Sequence, residues 1–212
     1  MADSEKVLRC AVIANWGVGA VLLQSLLKRS DVSILFVVTT FENSSAGGWR
    51  NAVADEALKA DIPLFHEGQL SFEVLERLLR DEDIDVLFAH AGKRILPRRI
   101  FSAPRRGSIN FHPSLLPRHR GPAPTWWVIH NKERETGITS HFMDEGIDTG
   151  PMIARAVVPV DSLDTVETVI DSLKLVLPEL LDTTLANLSN PDFRPEQQDE
   201  ALATYEPRPP QK

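Results

Sequence analysis

The chain of 212 residues carries 23 Lys and Arg against 30 Asp and Glu, a formal net charge of −7, and is 42% hydrophobic. This is ample for the core of one compact domain, while no window approaches the ~18 apolar residues that span a bilayer. The acidic balance argues against a surface that grips nucleic acid through many phosphates. A polar, acidic N-terminus is no secretory signal, and a single cysteine, Cys10, in an apolar run fits a reducing, cytoplasmic setting.

Residues 7–15 are almost wholly apolar and read as a strand buried on both faces. Asn15-Trp16-Gly17-Val18-Gly19 then opens a helix with the i,i+4 pairs Leu22/Leu26 and Leu23/Leu27, and residues 34–39 form the next strand of a βαβ unit. Gly17-x-Gly19 is not a dinucleotide fingerprint: the third glycine position is Leu22, and the second strand ends in Val37-Val38-Thr39-Thr40 with no acidic residue. A tight turn between strand and helix accounts for it. Residues 41–49, rich in Ser, Gly and Asn, read as a loop, either a substrate flap or a plain connection. Residues 50–60 form a helix, 63–65 a short strand, and 72–80 a helix capped by Ser71. Residues 86–89 are a buried strand running into His90-Ala91-Gly92-Lys93-Arg94-Ile95. Lys93, Arg94, Arg98, Arg99, Arg105 and Arg106 make a local basic cluster, either a solvated helix face or an attractor for a polyanion.

Residues 107–112 form a strand stopped by Pro113. Asn110 and His112 share one face, because strand side chains repeat every two residues. Open α/β sheets bind ligands beyond the carboxyl ends of their strands. Asp148 follows in Glu145-Gly146-Ile147-Asp148-Thr149-Gly150, where flanking glycines permit a tight loop that aims the carboxylate back. Residues 123–131 are helical with an apolar girdle including Trp126 and Trp127; residues 137–143 and 152–160 are neighbouring strands, with His141 taken as structural. Asp164-Thr165-Val166-Glu167 starts a helix that Pro178 kinks or ends. Residues 1–190 make the expected catalytic domain and 191–212 an extended tail.

The segments Asn110-Phe111-His112-Pro113-Ser114-Leu115-Leu116-Pro117, Arg120-Gly121 and Met143-Asp144-Glu145-Gly146-Ile147-Asp148-Thr149-Gly150, in this order and separation, resemble the signature of the formyltransferases that use 10-formyltetrahydrofolate. The likeness is strong over residues 86–153 and thinner before them. It implies an α/β, doubly wound, mostly parallel open sheet with helices on both faces, Rossmann-like. It also implies a cytoplasmic one-carbon transferase with no metal, and Asn110, His112 and Asp148 as catalytic residues. Two sides of a folate pocket are implied at Phe88, Ala89, His90, Ala91, Gly92 and Ile95, and at Asp144 and Gly146. His90-Ala91-Gly92 stands where Tyr-Gly is common, leaving His90 either against the cofactor or an exposed loop residue. Purine-pathway members carry a Gly-Ser-Asn phosphate loop where this chain has none, which argues against a glycinamide ribonucleotide substrate. Residues 203–208 resemble the Tyr-x-x-Arg segment at which larger members leave the catalytic domain, so the chain is either a minimal form or a catalytic part of something longer.

Formyl transfer to an amine develops charge on an oxyanion, which an Asn amide and a His ring can meet by donating hydrogen bonds. Asp148 beside His112 is expected to raise the imidazole pKa and orient the ring. The amine's proton passes to His112 or to a water between the two. The leading reading is N-formylation of a small amine, a nucleotide-linked amino sugar, with Arg118 and Arg120 on its phosphates and a reduced folate as donor. The alternatives are methionyl-tRNA, a hydroxyornithine-type acceptor, hydrolysis of the formyl-folate, and a non-enzymatic folate-binding module. No membrane is expected, and a homodimer stays open.

Overall fold

The computed structural model describes residues 7–41 and 51–210. The loop expected over residues 41–49 lies, beyond residue 41, outside the described residues. Two compact units divide the chain, Met1–Ile109 and Asn110–Lys212, and the fold is α/β, Rossmann-like, with a mostly parallel sheet and helices.

In the first unit β1 (Leu8–Ala14), β2 (Val32–Thr39), β3 (Leu64–His66) and β4 (Val86–His90) stand in the order β3-β2-β1-β4, all parallel. Parallel order follows from the helices α1 (Trp16–Leu27), α2 (Ala52–Lys59) and α3 (Phe72–Asp81) that intervene between successive strands. Alternation sends Ala11, Ile13, Phe36, Val38 and Leu87 to one face, where they cluster with Leu75 and Leu79 of α3 and Ile100 of the short α4 (Arg98–Phe101). On α1, Leu22, Leu23 and Leu26 are fully buried, and the helix packs against β1, β2, β4 and α2. Gly19 explains the glycine turn: a Cβ there would lie 3.0 Å from the Ala14 Cβ and 3.3 Å from Val53 Cγ2, so the glycine permits close packing of helix on strand. Cys10 is fully buried, and burial, then the nearby Asp85 charge, push its thiol far up, so it stays an inert core residue.

A buried polar node ties the strand ends of this unit together. Asn15 Oδ1 accepts from Thr39 Oγ1 (3.1 Å), Thr40 N (2.8 Å) and Thr40 Oγ1 (2.6 Å), and its Nδ2 donates to Glu67 Oε2 (3.0 Å) and Ala91 O (2.9 Å). Glu67 Oε1 in turn accepts from the N–H groups of Lys93 (2.7 Å) and Arg94 (3.1 Å). The end of β1 is thus tied by side chains to the residues that follow β2, β3 and β4.

The second unit holds β5 (Ser108–His112), whose first residues belong to the chain before the division, then β6 (Glu135–Phe142) and β7 (Met152–Pro159), in the order β5-β6-β7 with β6 and β7 antiparallel. Gly137 is required by close approach: a Cβ there would sit 2.0 Å from the Ala156 carbonyl oxygen. α5 (Pro124–His130) precedes β6, and α6 (Val166–Ser189) follows β7. Thr165 caps α6 in a reciprocal box with Thr168. The helix continues through Pro178, so the proline neither ends it nor divides it. Leu173, Leu177, Leu180, Leu181 and Leu185 along one stripe are buried, and α6 packs against β6 and β7. Among the described residues no helix is long and apolar enough to cross a membrane.

Candidate active site

The second unit brings Asn110, His112 and Asp148 together. Asn110 and His112 stand two apart on β5, and the Asp148 loop turns back to meet both. Asn110 Nδ2 donates to Asp148 Oδ1 (3.2 Å), and His112 Nδ1 lies 3.4 Å from Asp148 Oδ2. Asp148 sits at φ 55°, the left-handed region that an Asp tolerates better than most residues. Its Oδ2 accepts from the Gly121 N–H at 2.9 Å, and Gly121 has φ 97°. Asp144 Oδ1 shapes the loop, accepting from Gly146 N (3.1 Å) and Thr149 Oγ1 (2.6 Å).

His112 is 4% exposed, and its Nε2 lies 2.9 Å from the His119 carbonyl. A carbonyl only accepts, so Nε2 carries the hydrogen, and in the neutral ring Nδ1 is left with its lone pair beside Asp148. Burial lowers the pKa of His112 and outweighs the opposing pull of Asp148 and of the His119 carbonyl. This corrects the expected net rise: the carboxylate acts in the expected direction, but desolvation is larger, and the ring rests neutral. At a separation of 3.4 Å the two groups face each other directly, with no water on the line between them. For Asp148, burial opposes ionisation, but His112 and His141, both protonated in the acid range where a carboxylate titrates, and the Gly121 N–H prevail and hold its pKa well below the usual carboxylate range.

His141, expected to be structural, is a fourth member of the group. On β6 and 2% exposed, it places Nε2 3.2 Å from Asn110 Nδ2 and 3.6 Å from Asp148 Oδ1, with Nδ1 2.9 Å from the Phe142 carbonyl. The carbonyl again fixes the tautomer: Nδ1 donates, and Nε2 accepts from the Asn110 amide. Alternation along β6 carries the signal, since Thr139 on the same face accepts from Leu116 N and donates to the Ser114 carbonyl, whereas Ser140 on the other face meets Thr184 of α6.

Arg118 and Arg120, expected on a substrate phosphate, are both engaged by other residues of the chain. Arg120 is 6% exposed; its Nε and Nη2 donate to Gln198 Oε1 (3.0 and 2.9 Å), and its Nη1 and Nη2 to Glu200 (2.9 and 2.7 Å). Its fork is closed on the chain's own residues, a framing role, and Arg118 pairs with Glu133. His119, also buried, lies between Glu133 and Glu206, at 3.5 and 3.4 Å.

In the first unit, Phe88, Ala89 and His90 are buried in β4; His90 is therefore not an exposed loop residue. Ala91 turns the chain at φ 53°, and Gly92 and the exposed Ile95 follow in the loop held by Glu67. The basic cluster is largely paired: Arg99 with Glu73 and Glu76, Arg105 with Asp83 and Asp85, while Lys93 lies 4.2 Å over the Trp16 ring. Among the described residues no three His, Cys, Asp or Glu side chains are grouped as a metal ion requires.

Residues 9–185 match the family model described as formyl transferase. The chain belongs to the formyl transferase family. The chain is 39% identical over 152 residues to the methionyl-tRNA formyltransferase of Nostoc sp., covering 71% of this chain and 44% of that protein. It spans about half the length of the curated relatives it matches. Among solved structures, glycinamide ribonucleotide transformylase 1 from Geobacillus kaustophilus is 28% identical with a TM-score of 0.70, covering 87% of this chain and all of that one. WlaRD, a sugar 3N-formyl transferase solved in the presence of dTDP and 5-N-formyl-THF, shares the fold with a TM-score of 0.76 at 21% identity, covering 95% of this chain and 70% of that one. Members of this family are one-carbon group transferases that use 10-formyltetrahydrofolate.

Proposed function

We propose that this chain transfers the formyl group of 10-formyltetrahydrofolate to a primary amine at Asn110, His112 and Asp148. The observation that carries the reading is a neutral, buried His112 fixed by one nitrogen on a carbonyl, with its basic nitrogen beside an ionised carboxylate. As the amine nitrogen bonds to the formyl carbon, it becomes cationic and gives a proton to His112 Nδ1. The imidazolium so formed is held by Asp148. The formyl oxygen takes up negative charge, which the Asn110 amide meets by exchanging one of its 3.2 Å contacts for the oxyanion. Breaking of the bond to the folate nitrogen follows, and His112 returns its proton to that leaving nitrogen.

The acceptor we favour is a small nucleotide-linked amino sugar. The acidic balance of −7 supports it over a polynucleotide, and the fold is shared with a sugar formyltransferase. Arg118 is the better placed of the two arginines to take a substrate phosphate, since Arg120 is buried in its own network. Methionyl-tRNA is the second reading, favoured by the 39% identical relative. Mass spectrometry for a formyl increment, with 10-formyltetrahydrofolate and a panel of nucleotide-linked amino sugars, hydroxyornithine and methionyl-tRNA, separates them. The expected result is efficient modification of an amino sugar; modification of the tRNA alone would overturn the assignment.

A further inference from the structure

We propose that the segment following α6, residues 196–206, is a positioning strap for Asp148 and His112, with Gln198 as its central residue; this rests on the reading of that pair as the reacting groups. Gln198 is 9% exposed in a mostly polar stretch that makes one 3-10 turn at Glu200–Leu202. Its Nε2 donates to the carbonyls of Asp148 and Gly150, both at 2.8 Å, and its Oε1 accepts twice from Arg120. Two donors and two lone pairs are the whole capacity of a glutamine side chain, and all are used. A glutamate would lack the donors, and a methionine would lack both kinds of partner.

The two ends of this amide reach Asp148 by separate routes. One holds its backbone, at a φ of 55° that persists only where surrounding contacts over-determine it. The other holds Arg120, whose successor Gly121 donates to Asp148 Oδ2. The strap then runs alongside the same loop: Arg120 N donates to the Thr204 carbonyl (2.9 Å), Glu206 N to the Arg120 carbonyl (2.8 Å) and His119 N to Thr204 Oγ1 (2.8 Å). His119 is the residue whose carbonyl fixes His112 Nε2. Contact is close enough that a Cβ at Gly121 would fall 2.6 Å from the Glu206 carbonyl oxygen. Both partners of the pair are therefore referenced to one stretch of chain.

The test uses the whole chain with Gln198→Met, which removes every bond, and Gln198→Glu, which keeps an acceptor for Arg120 and loses the two donors. Three readouts are taken: titration of the His112 ring by NMR of 15N-histidine protein, calorimetric binding of 5-formyltetrahydrofolate, and turnover with whichever amine the panel identifies. The strap predicts folded variants with unchanged folate affinity, kcat down ~10- to 100-fold, and a His112 midpoint moved lower as Asp148 drifts from the ring. Unchanged midpoints in both variants overturn it. Should the Gln198 variants fail to fold, Thr204→Val, which loses only the His119 anchor, is expected to lower kcat and the midpoint in the same sense, and an unchanged Thr204→Val overturns the strap. If the wild type formylates no amine, the proposed reaction fails, and the His112 titration still decides the strap.

Discussion

Replacing Asp148 by Asn changes one atom and one charge at the centre of the site. At the 3.4 Å between His112 Nδ1 and Asp148 Oδ2, an ionised carboxylate stabilises an imidazolium by about 5 kcal/mol at an effective dielectric near 20. That interaction exists only once His112 has taken the proton, so its loss falls on the barrier and corresponds to about three to four powers of ten in rate. The amide adds a mismatch. Oδ1 now accepts from the Asn110 amide and Oδ2 from the Gly121 N–H, so whichever oxygen becomes NH2 faces a donor. Steady-state release of tetrahydrofolate in the presence of the amine acceptor should show kcat lowered by roughly 10³ or more, while calorimetry shows 5-formyltetrahydrofolate still bound and thermal unfolding stays cooperative. A folded Asp148→Asn protein whose kcat is within about tenfold of wild type would refute the proton-acceptor role of His112.

Because burial sets the His112 pKa below its unperturbed ~6.5, kcat/KM should decrease as pH is lowered through an apparent pKa under that value, and a midpoint above ~7 would contradict a neutral resting ring. The same shift has a sign for stability: the unfolded chain binds the proton first, so this contribution is complete above ~6.5 and is lost as pH falls toward the folded-state pKa, which denaturant midpoints across that window would detect. Glu67→Gln sets an NH2 against either the Asn15 amide or the N–H groups of Lys93 and Arg94; a loss of ~1–3 kcal/mol is expected, and an unchanged thermal midpoint would show the node to be dispensable. Gly137→Ala drives a methyl to 2.0 Å from the Ala156 carbonyl oxygen, so β6 and β7 must separate, and wild-type thermal stability in this variant would contradict that register.

The first unit was legible because its signals are redundant: apolar runs with no alternation read as buried parallel strands, and helix periodicity fills the gaps. That Asn110 and His112 share a face and that the Asp148 loop can turn back was legible from strand alternation and flanking glycines, while their choice as catalytic residues came from the resemblance to the family signature. His141 was missed because alternation says that it shares a face with Thr139 but not that β6 lies beside β5. Gln198 was missed for a different reason. A neutral polar residue in a proline-rich stretch has no period, and its burial depends wholly on what the loop at Asp148 needs. Arg120 misled the reading toward a phosphate because a sequence shows the charge of a guanidinium but not the glutamine and glutamate that already occupy its fork. Pro178 likewise marks a missing donor, while the leucine stripe buried against β6 and β7 keeps α6 continuous.

The account turns on formyl transfer through His112. Wild type and His112→Ala, both shown folded by thermal unfolding and both binding 5-formyltetrahydrofolate, should be mixed with 10-formyltetrahydrofolate and the acceptor panel and read by mass spectrometry for the formylated amine. The account predicts product from the wild type and a rate reduced by ~10²–10⁴ in the variant. A folded His112→Ala protein that formylates the same amine at the wild-type rate would contradict it.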